Sequence, residues 1–340
     1  MTAGTDTAPP EVRAERRRRG LDDGVLRNLG LVGVLIILVV VGIITKPELY
    51  SDPTWVRNNF LTILQQASAI GVVTVGMTFV IIGGGIDLSV GAIIALAGVW
   101  ATTLATQSYG AGGMIFTALV VGIVVGLING VLISYGRLVP FIATLAMLVA
   151  ARGLAAQISG KQTQVSTNMT INDIATTKPL GIPLLVWILA LVVAAGWVLL
   201  NRTTFGRRTV AVGGNPEAAR LAGINVKRHT VLLYALSGLC CGIAAIMLTS
   251  QATSAQAAMA NLYELDAIAA AIIGGTLLSG GRGTIIGALF GVLVFSTITN
   301  LFAINNLSTE VQNMVKGGII VAAVLIQQFR FRSLTQLLKR

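Results

Sequence analysis

Long unbroken apolar runs dominate this sequence and leave few folds open to it. Leu29 to Ile44, Met114 to Ile133, Ile182 to Leu200 and Thr284 to Phe302 are examples. A run of roughly 18 or more apolar residues can cross a hydrocarbon core as a helix. Such runs do not alternate apolar and polar faces, so one large soluble core cannot account for them. Lipid offers no partner to an unpaired backbone group, and several helices are therefore required. Composition agrees: 11% of the residues are charged, against about 25% in soluble domains. The expected fold class is all-α, a polytopic membrane helix bundle.

Ten spans are expected, near 27–45, 60–82, 86–105, 114–133, 139–158, 182–200, 231–250, 264–280, 284–303 and 311–327. Eight spans with two re-entrant segments is the competing count. With the N-terminus in the cytoplasm, the inner segments hold 18 of the 24 Lys and Arg residues. That asymmetry closes only for an even number of crossings, so both termini are expected to be cytoplasmic. The same pattern explains the net charge of +11 without nucleic acid, for which no aromatic-interleaved basic patch exists.

Residues 1–26 read as a disordered basic cytoplasmic tail, residues 27–328 as the transmembrane domain with a cytoplasmic loop at 201–230, and residues 329–340 as a second basic cytoplasmic tail. Arg16 to Arg19 precede the first apolar run as in a signal peptide, but no small-residue cleavage site follows, so the first helix is expected to be retained. Cys240 and Cys241 sit side by side in an apolar span and suggest neither a disulfide framework nor a metal site. Four-residue spacings such as Gly122, Gly126, Gly130 and Gly283, Gly287, Gly291 point to close helix packing.

Chemistry-bearing groups are scarce. No phosphate-cradling G-x-x-x-x-G-K-[ST] loop is present, and one His with few buried acids argues against hydrolysis or a long proton relay. Any ATPase must be another chain. The inner segment 201–230 is where such a chain could bind. Gly213 and Gly214 make a turn, Asn215 is a good N-cap, Pro216 suits the first helical position, and Glu217 favours the positive helix end. The helix then runs through Ala218 and Ala219 to a stop near Gly223. A helix of about two turns is unstable alone in water; it is either a docking element or an ordinary connector.

Asp87 is the one carboxylate firmly inside an apolar stretch, after Gly83, Gly84 and Gly85 and before Ser89. An intramembrane acid is a functional candidate by default. It could accept hydrogen bonds from a substrate, or cap the third helix and satisfy its free N–H groups. Glu264 and Asp266, beside Tyr263, either line the outer mouth or are solvated. Asn129, Thr144, Arg152 and Asn300 are polar positions in or near spans, suited to hydrogen bonds between helices. The outer segment Ser159 to Gly181, rich in Thr and Asn, suits a lid or docking surface.

Glu217-Ala218-Ala219 followed by Gly223 resembles the EAA loop of bacterial ABC-importer permeases, although the rest of that motif is absent. A wider set of blocks is similar to the ribose-type permease family, which serves simple sugars and polyols. These are Gly85-Ile86-Asp87-Leu88-Ser89-Val90-Gly91, Pro140 to Leu145 with Phe141 and Thr144, Gly213-Gly214-Asn215, Tyr263 to Ala269, Gly274-Gly275-Thr276 and Ser279 to Gly283. The resemblance spans roughly residues 55 to 327. It implies an inner-membrane importer permease for a monosaccharide, working with a separate ABC ATPase subunit that binds ATP, an extracytoplasmic sugar-binding protein, and a second permease copy or relative. Candidate pathway residues are Asp87, Ser89, Asn129, Phe141, Thr144, Glu264 and Asp266. Candidate ATPase-coupling residues are Gly213, Gly214, Asn215, Glu217, Ala218, Ala219 and Gly223. No catalytic residue, metal or cofactor is expected in the chain. The alternatives are a proton-coupled secondary transporter using Asp87, and an importer of another solute such as a branched-chain amino acid.

Overall fold

The computed structural model describes residues 23–337, so the basic segment before them and the last three residues lie outside the described chain. Helix α1 (Asp23–Thr45) and the short α2 (Pro47–Tyr50) lead into α3 (Pro53–Ile82). A glycine turn then gives α4 (Val90–Ala101), followed by α5 (Leu104–Gln107), α6 (Gly110–Ser134) and α7 (Pro140–Ile158). The segment Ser159 to Gly181 holds α8 (Met169–Thr176) and strand β1 (Gln164–Val165), which pairs antiparallel with β2 (Ser254–Ala255). Next come α9 (Leu184–Arg202), α10 (Thr204–Gly214), α11 (Pro216–Leu221) and α12 (Val226–Ala252). The chain ends in α13 (Tyr263–Ile273), α14 (Ile285–Ile304) and α15 (Thr309–Leu337).

Seven of these helices are long and apolar enough to cross a membrane: α1, α3, α6, α7, α9, α12 and α14. The protein is a multi-pass, all-α membrane bundle. The expected third and eighth spans are half-length helices, α4 with 12 residues and α13 with 11. At ~1.5 Å rise per residue neither covers a hydrocarbon core of ~30 Å. α4 begins only at Val90, after the non-helical Ile86 to Ser89, and stops at Thr102, while α13 stops at Gly274, short of the expected 280. The last helix starts where the tenth span was expected but continues to Leu337, beyond the boundary expected at 328.

α3 is the central post. Every residue from Ala67 to Ile82 is buried, and α4 is buried over nearly its whole length. α12 crosses α6 backbone to backbone. A Cβ on Gly126 would lie 3.0 Å from the Tyr234 carbonyl carbon, and one on Gly122 would lie 3.0 Å from the Gly242 nitrogen. The stripe Gly122, Gly126, Gly130 is therefore a helix crossing. Gly291 plays the same part where α14 meets α13, since a Cβ there would lie 3.0 Å from the Gly274 nitrogen.

Overpacking a well-packed core typically costs about 1–3 kcal/mol, and more where the obstacle is main chain. Gly126→Leu should therefore lower the thermal midpoint of the detergent-solubilised protein by several degrees or abolish its folding. Gly153→Ala, in a helix with nothing within 4 Å of the added Cβ, should be neutral or mildly stabilising. A fluorescence-detected melt of both variants checks the contrast.

Candidate functional site: a broken-helix junction linked to a short inner helix

Two turns interrupt the bundle, and they are the same turn. Val80-Ile81-Ile82-Gly83-Gly84-Gly85 and Ala271-Ile272-Ile273-Gly274-Gly275-Thr276 align residue for residue. In the first, Gly84 N–H donates to Ile81 O and Gly85 N–H to Val80 O; in the second, Gly275 N–H donates to Ile272 O and Thr276 N–H to Ala271 O. Both middle glycines have φ +85°, the left-handed conformation that ends helices and that residues with a Cβ avoid. Each turn satisfies carbonyls that hydrocarbon would otherwise strand.

Asp87 follows the first turn and is fully buried. Its Oδ1 accepts from the Ser89 backbone N–H at 3.0 Å and from Ser89 Oγ at 2.6 Å, while Oδ2 accepts from Ser237 Oγ on α12 at 3.0 Å. Asn129 Nδ2 on α6 donates to Ser89 Oγ at 2.8 Å. Ser89 thus receives one hydrogen bond and passes one on, so the chain of bonds is mutually polarised. Tyr234 hydroxyl closes the same turn by donating to Ile86 O at 3.1 Å. Asp87 therefore binds α6 and α12 to the start of α4 and has no oxygen open to a cavity.

Glu264 serves the other half-helix. It is the second residue of α13, and its Oε2 lies where a Cβ on Gly91, the second residue of α4, would come within 2.6 Å. Oε2 has no hydrogen-bond partner among the described residues, and the side chain is buried. The nearby Arg152 of α7 donates from Nη1 to Ala257 O at 2.7 Å and to Met259 O at 2.9 Å, and attracts Glu264 electrostatically. One carboxylate thus sits between the first turns of α4 and α13, where two partial positive charges meet. Asp266, one residue further into α13 than its neighbour Leu265, is paired with Lys316 of α15 at 3.1 Å.

The remaining candidates separate. Thr144 is buried and donates to Pro140 O at 2.9 Å, with Ile86 O at 3.5 Å. Phe141 is 52% exposed and points out of the bundle. Asn300 is tied to Asn59 across α14 and α3 at 3.0 Å.

The inner segment folds into α10 and α11. Asn215 Oδ1 accepts from the N–H groups of Glu217 and Ala218, both at 3.0 Å, with Pro216 at the first helical position. Gly223, at φ +83°, ends the element by donating its N–H to Arg220 O. Ala219 is buried against the bundle, while Glu217, Ala218 and Arg220 face outward. Glu217 pairs with Arg220 at 2.8 Å, which holds its carboxyl below the usual range, but both side chains are well exposed. An exposed pair of this kind contributes little stability. Leu221 is the outlier: a large apolar side chain, 78% exposed at the tip of a six-residue helix. Sequence reasoning passed over it because exposure cannot be read from a two-turn helix.

Gly213 and Gly214 join this segment to the first broken turn and to the Gly280–Gly281 loop that follows the second. Gly281 N–H donates to Ile82 O at 2.8 Å. A Cβ on Gly280 would lie 2.8 Å from Gly213 O and 3.0 Å from Gly84 Cα, and one on Gly281 would lie 2.9 Å from Gly214 Cα. Three sequence blocks far apart in the chain therefore meet main chain to main chain at one point. Ser237 and Tyr234 were also missed from sequence, since their partners lie some 150 residues away.

Asn at position 87 can keep the Ser89 N–H bond and turn its amide toward Ser237, whereas Leu would leave several buried groups unpaired at about 1–3 kcal/mol each. Asp87→Asn should purify as a monodisperse protein melting within a few degrees of wild type. Asp87→Leu should aggregate or fail to accumulate. Gel filtration and thermal melts in detergent distinguish the two.

The comparisons with known proteins place this arrangement. Residues 59–324 match the family described as "Branched-chain amino acid transport system / permease component". The chain is 40% identical over 330 residues to the ribose import permease protein RbsC of Bacillus subtilis (strain 168), covering 94% of this chain and 98% of that one. It is 36% identical over 307 residues to RbsC of Escherichia coli (strain K12), covering 89% and 94%. The L-arabinose ABC transporter permease protein AraH of Azospirillum brasilense is 34% identical over 326 residues, covering 96% and 95%. No solved structure matches the chain significantly. With a family match over most of its length and near-full-length relatives, the chain belongs to this family of transport-system permease components.

Proposed function

We propose that this chain is the inner-membrane permease subunit of an ATP-driven importer for a monosaccharide or related polyol. The observation that carries the cargo class is the filling of the half-helix ends. In many transporters the exposed N-termini of broken helices receive the anionic group of a substrate. Here Asp87 occupies the approach to α4, and Glu264 sits between α4 and α13. Neither half-helix N-terminus is then left for the carboxylate of an amino acid, and a neutral polyhydroxyl cargo asks for none. The relatives named for ribose and L-arabinose support the same choice.

Ten crossings with both termini in the cytoplasm remain the reading favoured by the charge distribution. In it the broken turns lie at the inner side, α4 and α13 make their crossings together with the segments around them, and α15 is the tenth. The ATPase subunit then docks on α11, with Leu221 as the apolar anchor and Glu217, Ala218 and Gly223 around it. Motion of α11 would reach the broken turns through Gly213 and Gly214, and reach Asp87 through them. The external sugar-binding protein docks at the opposite face, around the segment from Ser159 to Gly181 and the nearby cleft lined by Gln65, Asn172 and Gln251. Because Asp87, Ser89, Asn129 and Thr144 are all buried within one bundle, the pathway itself is best placed between two copies of the chain. Phe141 then faces it from the exposed side of α7.

Vesicles containing the chain, its ATPase and its binding protein should take up labelled ribose, arabinose or galactose in the presence of ATP, and an uncoupler should not stop them. Uptake that collapses with the proton gradient, or proceeds without the ATPase, overturns the proposal. Leu221→Asp should weaken co-purification of the ATPase by tenfold or more, as truncation of an interface anchor does. Gly213→Val should leave the ATPase bound but remove ATP-dependent uptake. Wild-type uptake by both variants would sink the docking and transmission assignments.

A further inference from the structure

One groove has no part in the mechanism above. α9 and α14 both pack on α3 and leave between them a space of about 640 Å³. Its walls are Leu64 of α3, Leu189, Val193 and Trp197 of α9, and Leu289 and Leu293 of α14. All are apolar. Along α9 the lining extends from Val186 to Val198, about 18 Å at ~1.5 Å per residue. That is a little more than one leaflet's share of a ~30 Å hydrocarbon core. The space also falls within the ~300–1,000 Å³ typical of sites that enclose a small apolar ligand. A flexible acyl chain matches it in length and chemistry.

The end of the groove supplies the second observation. One turn beyond Val198, the Arg202 guanidinium lies over the Trp197 ring, 5.4 Å from its centroid. Asn201 Nδ2 donates to Trp197 O at 2.9 Å and steadies that turn. Ion pairs among the described residues are Glu217–Arg220 and Asp266–Lys316, so Arg202 has no carboxylate of its own there. The side chain is exposed. An apolar slot therefore opens at an amphipathic ring and an uncommitted cation, the arrangement that suits a lipid tail with a phosphate above it. A zwitterionic headgroup would bring its own ammonium toward Arg202, whereas a net-negative headgroup would not.

We propose that this groove is a binding site for an anionic phospholipid of the bilayer, one acyl chain lying between α9 and α14 and its phosphate on Arg202. The proposal rests on the chain being a multi-pass membrane protein and not on the identity of its cargo. The occupant would brace α9 immediately before α10, and so steady the base from which α11 projects.

Native mass spectrometry of the complete transporter can test this, using phosphatidylglycerol and phosphatidylcholine with identical acyl chains as probes. A basic residue near an anionic surface is worth about fivefold in binding. Wild type should retain phosphatidylglycerol about fivefold over phosphatidylcholine. Arg202→Gln should abolish that preference while keeping both lipids bound, and Ala194→Phe, which fills the groove, should lose both. Equal retention of the two lipids by wild type overturns the proposal. So does an unchanged preference in Arg202→Gln, including the case in which that variant releases the ATPase instead. If Ala194→Phe shifts the oligomeric mass and leaves lipid retention intact, the groove belongs to a second copy of the chain.

Discussion

Hydrocarbon will not hydrogen-bond to a carbonyl or an N–H group, and the rest of this structure depends on how the chain meets that demand where its helices break. An unbroken helix meets it automatically. At the ends of α3 and α13 each stop is closed by a turn whose middle glycine has φ +85°. Asp87 then takes over on the far side of the first turn, accepting three hydrogen bonds from two serines. A buried carboxylate left without such partners would cost several kcal/mol. With them it fixes α4, α6 and α12 to one another.

The second turn is coupled to the first by more than likeness. Ile82 O accepts from Gly281 N–H, and Glu264 lies against the first turn of α4 from the first turn of α13. Two half-helices, two turns and two acids therefore form one unit. Beside it, the inner segment meets the unit through Gly213 and Gly214. The part of the chain assigned to a partner ATPase and the part assigned to holding the helices are adjacent, although Gly213 lies 126 positions after Asp87 and 51 before Glu264.

Much of this was legible beforehand, for identifiable reasons. Apolar run length gives membrane helices directly, and the Asn215-Pro216-Glu217 start is a local signal that needs no tertiary information. Asp87 stood out because an acid in an apolar run is rare. The half-length of α4 and α13 was not legible, because hydropathy continues past Thr102 and Gly274, where the helices stop. The likeness of the two turns was hidden by the 191 positions that separate Gly83 from Gly274. Ser237 and Tyr234 looked like ordinary residues of an apolar helix; only folding brings them to Asp87 and Ile86. The weight given to Glu264 as a mouth residue rested on its place before a span, and its contact with Gly91 depends on an approach that no local pattern encodes.

The meeting of Gly84, Gly213, Gly280 and Gly281 is built from main chain alone. Such a joint has no side chain whose size, charge or hydrogen bonding could be matched to a particular solute. It can pass a displacement but cannot distinguish one cargo from another. Under the proposed transmission through Gly213 and Gly214, recognition and actuation are chemically independent: a lineage could exchange one sugar for another by altering side chains elsewhere, and leave this joint untouched.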